Sequence, residues 1–154
     1  MENNIETIKQ YLGCYRERNL EKFVSFLALD FVHRSSLTQD QPVNRDYMAK
    51  GFTAFVNACP NIKEEVISIM ADGDKVMCEV LETGTLTHPL LLQNGVVIEP
   101  NNRSYKLPFA IFFRFDSEGL IAEQRVIFDS ASLARQTGID ISKYAPQPNL
   151  PVKD

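Results

Sequence analysis

The last hydrophobic segment of the chain carries its most informative chemistry. Read as a strand, Leu120 to Asp129 sets Leu120, Ala122, Gln124, Val126 and Phe128 on one face and Ile121, Glu123, Arg125, Ile127 and Asp129 on the other. The second face is unusually polar. Arg125 and Asp129 are separated by roughly 13 Å at about 3.3 Å per residue, too far for an ion pair, yet they point the same way and could reach into one cavity. A carboxylate in an apolar hollow suits a general acid or base near neutral pH, because desolvation favours the protonated form. The other reading is structural: Asp129 or Ser130 caps a following helix, and Glu123 and Arg125 lie on a solvated sheet face. His33, after the apolar pair Phe31-Val32, fits either a hydrogen-bonded core or rim histidine or a catalytic one. His88 precedes Pro89 and reads as a loop residue. Tyr11 and Tyr15 share a helix and serve as core residues or as oxyanion donors.

Inventory removes other chemistries. Two histidines cannot build an H-E-x-x-H helix or a His-rich metal site. The seven glycines never fall into nucleotide-cradling spacing, and there is no G-x-S-x-G or C-x-x-C. Cys14, Cys59 and Cys78, odd in number and widely spaced among apolar neighbours, read as buried reduced thiols. No cofactor and no metal are expected. Sixteen Lys and Arg against twenty Asp and Glu give a net charge of -4 without a basic footprint, so nucleic acid is not an expected partner. The first segment has no uninterrupted apolar run, and no stretch approaches the roughly 20 apolar residues of a membrane span; a cytoplasmic protein is the expectation.

The elements that must position these residues follow from periodicity. Ile5, Ile8, Leu12 and Tyr15 predict a helix near 4–17, and Asn19 caps a second with the stripe Leu20, Phe23, Val24 and Leu27, before the short extended run Phe31-Val32-His33. Pro42 and Asn44 introduce a third helix burying Met48, Phe52, Phe55 and Val56 and ending at Pro60. Helical spacing then disappears. Strands are predicted over 62–70 and 75–87 around the hairpin signal Ala71-Asp72-Gly73-Asp74, then over 103–115, with a further turn at Asn94-Gly95. Pro108 implies a bulge or an edge. Asp116-Ser117-Glu118-Gly119 turns into the last strand, and a short helix follows near 130–136. The 154 residues fit one domain: an α+β arrangement in which a strongly curved sheet is closed by helices and leaves an apolar pocket.

Residues 121–138, IAEQRVIFDSASLARQTG, resemble the terminal motif of SnoaL-like polyketide cyclases, members of the nuclear transport factor 2-like superfamily. Asp129, Leu133, Gln136 and Gly138 keep that register. Residues 19–33, NLEKFVSFLALDFVH, are similar to the family's second helix and first strand; Gly84-Thr85, the run Ile111 to Phe115 and Glu118-Gly119 also fit. The resemblance implies a cone-shaped, curved antiparallel (mixed) sheet packed with three N-terminal helices, a single domain over 1–138 and a proline-bearing tail over 139–154. It implies a cofactor-independent cyclase or isomerase acting on a small, polyketide-like carbonyl compound, with Asp129 as general acid and base and His33 polarising the substrate. Tyr11, Tyr15, Arg125, Phe52 and Phe113 are the candidate ligand-binding residues, and a homodimer through the outer sheet face is implied. Arg125 stands where the family commonly has Trp, and Leu86 where it commonly has His, so a flat polycyclic substrate is disfavoured. A non-catalytic small-molecule-binding or dimerisation module of the same fold is the alternative.

Overall fold

Helices come first in the computed structural model, which describes residues 2–140. They are α1 (Glu2–Glu17), α2 (Leu20–Ser25) and α3 (Arg45–Ala58). The two expected caps are present. Asn19 Oδ1 accepts from the Lys22 N–H, and Asn44 Oδ1 from the Tyr47 N–H, each satisfying a donor that the first helical turn leaves free. Between them β1 (Leu27–Ser35) is longer than the three-residue run expected and takes Leu27 out of the second helix. Helix α2 stops because the Phe26 carbonyl accepts from the Ile121 N–H at 2.9 Å, so pairing with a distant strand overrides the local helical period.

The remaining strands are β2 (Lys63–Asp72), β3 (Lys75–Thr85), β4 (Leu90–Leu91), β5 (Val97–Ile98), β6 (Ser104–Phe115) and β7 (Ile121–Phe128), followed by α4 (Ser130–Thr137). Five of them form one open sheet in the order β1-β7-β6-β3-β2. It is mixed, since β1 runs parallel to β7 while every other neighbouring pair is antiparallel. The short β4–β5 hairpin stands apart. In β6, Pro108 faces Leu81 of β3, but pairing with β7 begins only at Phe109. The missing N–H therefore falls on a locally unpaired edge, where it removes no ladder bond. Two residues earlier that edge is closed by a side chain: Gln136 of α4 accepts from the Lys106 N–H and donates to the Lys106 carbonyl, as a neighbouring strand would. Gly138 ends α4 with φ 70°, a left-handed cap that a side chain would strain.

The helices cover the inner face of the sheet. Tyr11, Phe23 and Phe52 are almost wholly buried, with ring centroids 4.7 Å apart for Tyr11–Phe23 and 4.4 Å for Phe23–Phe52. Across from them Leu107, Ile111, Phe113 and Phe115 of β6 complete the core. Met70, Met77, Phe112 and Ile127 remain exposed on strands of the same sheet. Of the tail expected from residue 139, Ile139 is buried and packs on the core, whereas 141–154 lie outside the described residues. No helix among the described residues is long and apolar enough to cross a membrane.

Candidate active site

Aromatic and aliphatic side chains do not fill the space between helices and sheet. A cavity of about 320 Å3 remains, and its wall includes Tyr11, Tyr15, Phe52 and His33. It is mostly apolar, with a few convergent polar groups, which is the usual make-up of a small-molecule site. Among the described residues two carboxyl groups line it, Glu64 and Glu82, and no lysine or arginine does so.

These two acids come from adjacent strands. Glu64 of β2 stands directly opposite Glu82 of β3. Like charges at such positions repel, and the apolar surroundings enlarge the cost. Burial, and then the neighbouring Glu82 charge, raise the Glu64 carboxyl well above the ordinary carboxylate range. Glu82 is raised as well, by burial, against the opposing influence of hydrogen bonds from Glu64 and Tyr105. The Tyr105 hydroxyl donates to Glu82 Oε1 at 2.8 Å. Glu82, which accepts from Tyr105, is the better home for the charge, and Glu64, whose Oε2 meets no protein partner, is the better home for a proton. Glu64 keeps accessible surface although it lies deep in the protein, because it borders the hollow.

Gly84 makes the Tyr105 contact geometrically available. A Cβ at position 84 would lie 3.0 Å from the Tyr105 hydroxyl oxygen and 3.1 Å from two ring carbons. Without it, the phenol of β6 lies across β3 and reaches Glu82 on the same strand.

His33, 7% exposed, enters from β1. Its backbone bridges to Val43, which fixes the residue, while the ring Nδ1 meets no protein partner. Burial lowers its pKa to about 4, so the imidazole is neutral at neutral pH. Tyr11 donates to Gln124 Oε1 of β7 at 2.7 Å, a buried polar pair that also lines the cavity.

The sequence-derived candidates divide. Tyr11, Tyr15, Phe52 and His33 come together around the cavity. Phe113 lies in the core instead, edge-on to Tyr11 with centroids 5.9 Å apart, and is not part of the lining. On β7 the inward face is the one bearing Gln124, Val126 and Phe128, opposite to the polar face expected to reach the cavity. Arg125 accordingly pairs with Asp40 at 2.9 Å, half exposed. Asp129 is the N-cap of α4: its Oδ1 accepts from the Ser132 N–H at 3.1 Å, its Oδ2 lies 3.4 Å from Arg135, and its side chain is 62% exposed. Its carboxylate does not line the cavity. The acids that do, Glu64 and Glu82, were not singled out from the sequence. Strand alternation would have flagged Glu82 among Cys78, Val80 and Gly84, but nothing local marks Glu64.

A family profile described as SnoaL-like polyketide cyclase matches residues 5–137. No curated protein matches the chain. Among solved structures, AclR of Streptomyces galilaeus, described as a candidate hydroxylase, superposes with a TM-score of 0.76 at 22% identity, over 90% of this chain and 97% of that one. IdmH of Streptomyces antibioticus, described as a candidate polyketide cyclase, gives 0.71 at 20% identity, over 88% and 99%. A protein of Catenulispora acidiphila with a ketosteroid isomerase-like fold gives 0.69 at 14% identity, over 89% and 95%. At these identities the likeness establishes a common nuclear transport factor 2-like fold.

Proposed function

The chain belongs to the SnoaL-like polyketide cyclase family, and on that premise we propose that it is a cofactor-independent cyclase or isomerase acting on a small carbonyl compound held in the cavity. The observation that carries this reading is a mostly apolar hollow of about 320 Å3 whose wall includes a buried, neutral histidine with a ring nitrogen that meets no protein partner. A neutral imidazole in its Nδ1–H form polarises a carbonyl oxygen by hydrogen bonding and stabilises the enolate that forms when a neighbouring C–H is deprotonated. Tyr11, Tyr15 and Phe52 supply flat apolar walls for the carbon skeleton. The family resemblance points to Asp129 as the acid-base residue, but its carboxylate caps α4 outside the cavity lining, so the resemblance by itself does not assign the group that moves the protons.

The test is solvent deuterium exchange at the α-carbon of 2-tetralone, a small bicyclic ketone, followed by NMR. Wild-type protein is expected to accelerate the exchange over buffer of the same pH. Chemical-shift perturbation of cavity residues by 2-tetralone with no acceleration of exchange would turn the reading into that of a binding module. The protein is further proposed to act as a homodimer through the outer sheet face, supported by exposed Met70, Met77, Phe112 and Ile127. A monomeric mass in solution contradicts that part.

A further inference from the structure

The carbonyl reading leaves open which group moves the protons, and the interior of the cone holds an arrangement built for that step. We propose that Glu64, Glu82 and Tyr105 form the proton-transfer centre of the cavity, with Glu82 as base and Glu64 as acid, acting on an uncharged ketone or 1,3-dicarbonyl compound. This rests on the carbonyl reading of the same cavity.

Three observations on separate elements support it. Glu64 and Glu82 face each other across the β2–β3 ladder and both line the cavity. Tyr105 of β6 donates to Glu82 at 2.8 Å, across the gap left by Gly84. His33 of β1, 93% buried with Nδ1 unpartnered, lines the same cavity and supplies a second polar group for a substrate oxygen. Among the described residues the other ionisable groups interacting with the pair are Tyr11, Tyr15, Cys59 and Cys78, all weak acids. With no lysine or arginine among the described lining residues, the charge on the carboxyl pair has no counter-ion there and is relieved by retaining a proton. For the same reason a substrate carboxylate or phosphate meets no cation among the described lining residues, which favours an uncharged reacting part of the substrate.

The chemistry balances without a co-reactant. Glu82 takes the proton from a carbon beside a carbonyl, and the C–H electron pair becomes an enolate. In an intramolecular aldol closure the enolate carbon bonds to a second carbonyl carbon, whose π pair moves onto oxygen. Glu64 gives its proton to that oxygen. The pair then again holds one proton, now on Glu82, and its transfer back between the two facing carboxyls restores Glu64 as the acid. The product is an isomer of the substrate.

The deciding experiment compares 2-tetralone exchange by wild type, Glu82→Gln, Glu64→Gln, Tyr105→Phe and Asp129→Asn, alongside the infrared C=O absorption of a neutral carboxylic acid at pH 7. Glu82→Gln is expected to slow exchange by about 100-fold. Tyr105→Phe, the mildest change to the centre, is expected to slow it by about tenfold, and Asp129→Asn by less than about twofold. The infrared band is expected in wild type and absent from Glu64→Gln. Accelerated exchange in wild type that persists in folded Glu82→Gln and Tyr105→Phe overturns this proposal alone. No acceleration in wild type overturns the carbonyl reading and the catalytic role together. In that case a retained band still shows a shared proton, and a missing one removes the pair altogether.

Discussion

Asp129 and Glu82 are carboxylates on one sheet framework, and their surroundings separate them completely. Asp129, just past β7, has its oxygens directed to a backbone N–H and an arginine in reach of solvent. Glu82, on the inward face of β3, has a phenol, a second carboxyl and an apolar hollow. The outer site is open to solvent, and a negative group there stabilises a helix N-terminus. The inner site is arranged so that charge is costly, and charge there is available for chemistry. A carboxylate's position relative to the sheet therefore says more about its role than its place in a linear motif.

The largest effect expected from the inner region belongs to His33. Its pKa lies near 4 in the folded protein against 6.5 for an ordinary histidine, because burial disfavours the charged ring. Between those values the unfolded chain binds more protons than the native one, so this contribution is fully present above pH 6.5 and is lost as pH falls toward 4. At about 1.4 kcal/mol per pH unit the loss is on the order of 3 kcal/mol. Urea unfolding across that range is expected to show the decline in wild type and a flatter acid limb in His33→Leu. An identical acid limb in the variant contradicts the assignment.

Glu64 sharpens the contrast by having the opposite sign. Its carboxyl is raised by burial and by the Glu82 charge, so the native state binds more protons than the unfolded chain above about pH 4.5, the ordinary carboxylate value. The stability contribution is complete below that value and is lost as pH rises through the folded value. Glu64→Gln removes the titrating carboxyl and keeps the shape. It is expected to stabilise the protein at pH 8 by about 2 kcal/mol, because an amide stays neutral in the apolar site without having to hold a proton there. A gain in stability joined to a loss of exchange activity is the signature of a strained functional pair. A loss of stability would mark Glu64 as an ordinary structural residue.

Much of the frame is legible in the residues themselves. Asn19 and Asn44 cap where local hydrogen bonding demands, and the Asp72-Gly73 region turns β2 into β3 as expected. Tyr11 and Tyr15 on α1 and Phe52 on α3 are readable as inward-facing because helical spacing sets each on the apolar face of its own helix. The acid pair is not readable, and the reason is a bulge. Counted back from the Asp72–Lys75 pair, a regular ladder would place Glu64 opposite Thr83. The irregularity between Val66 and Ser68 shifts it to Glu82 and leaves Ile67 exposed. That extra residue reverses the alternation of β2 and turns Glu64 inward. On β7 the alternation was evident, but which face turns inward depends on Tyr11, 113 positions away, satisfying Gln124.

The smallest effect tests the outer side of the comparison. Asp129→Ala removes the acceptor for the Ser132 N–H and the partner of Arg135 while leaving the cavity lining intact. The exposed ion pair contributes little, since solvent screens it. The cap is the larger loss, typically about 1 kcal/mol for such a substitution. Helix α4 holds Gln136 against the open edge of β6, so the loss is expected to be felt by the whole domain and not by the helix alone. Asp129→Asn keeps a side-chain oxygen for the cap and is expected to recover most of the difference in urea unfolding. Recovery by Asn, in a protein whose ketone exchange stays near the wild-type rate, assigns Asp129 to the helix end. A wild-type-like stability in Asp129→Ala, joined to lost exchange, would return the acid-base role to Asp129 and erase the distinction between the two sites.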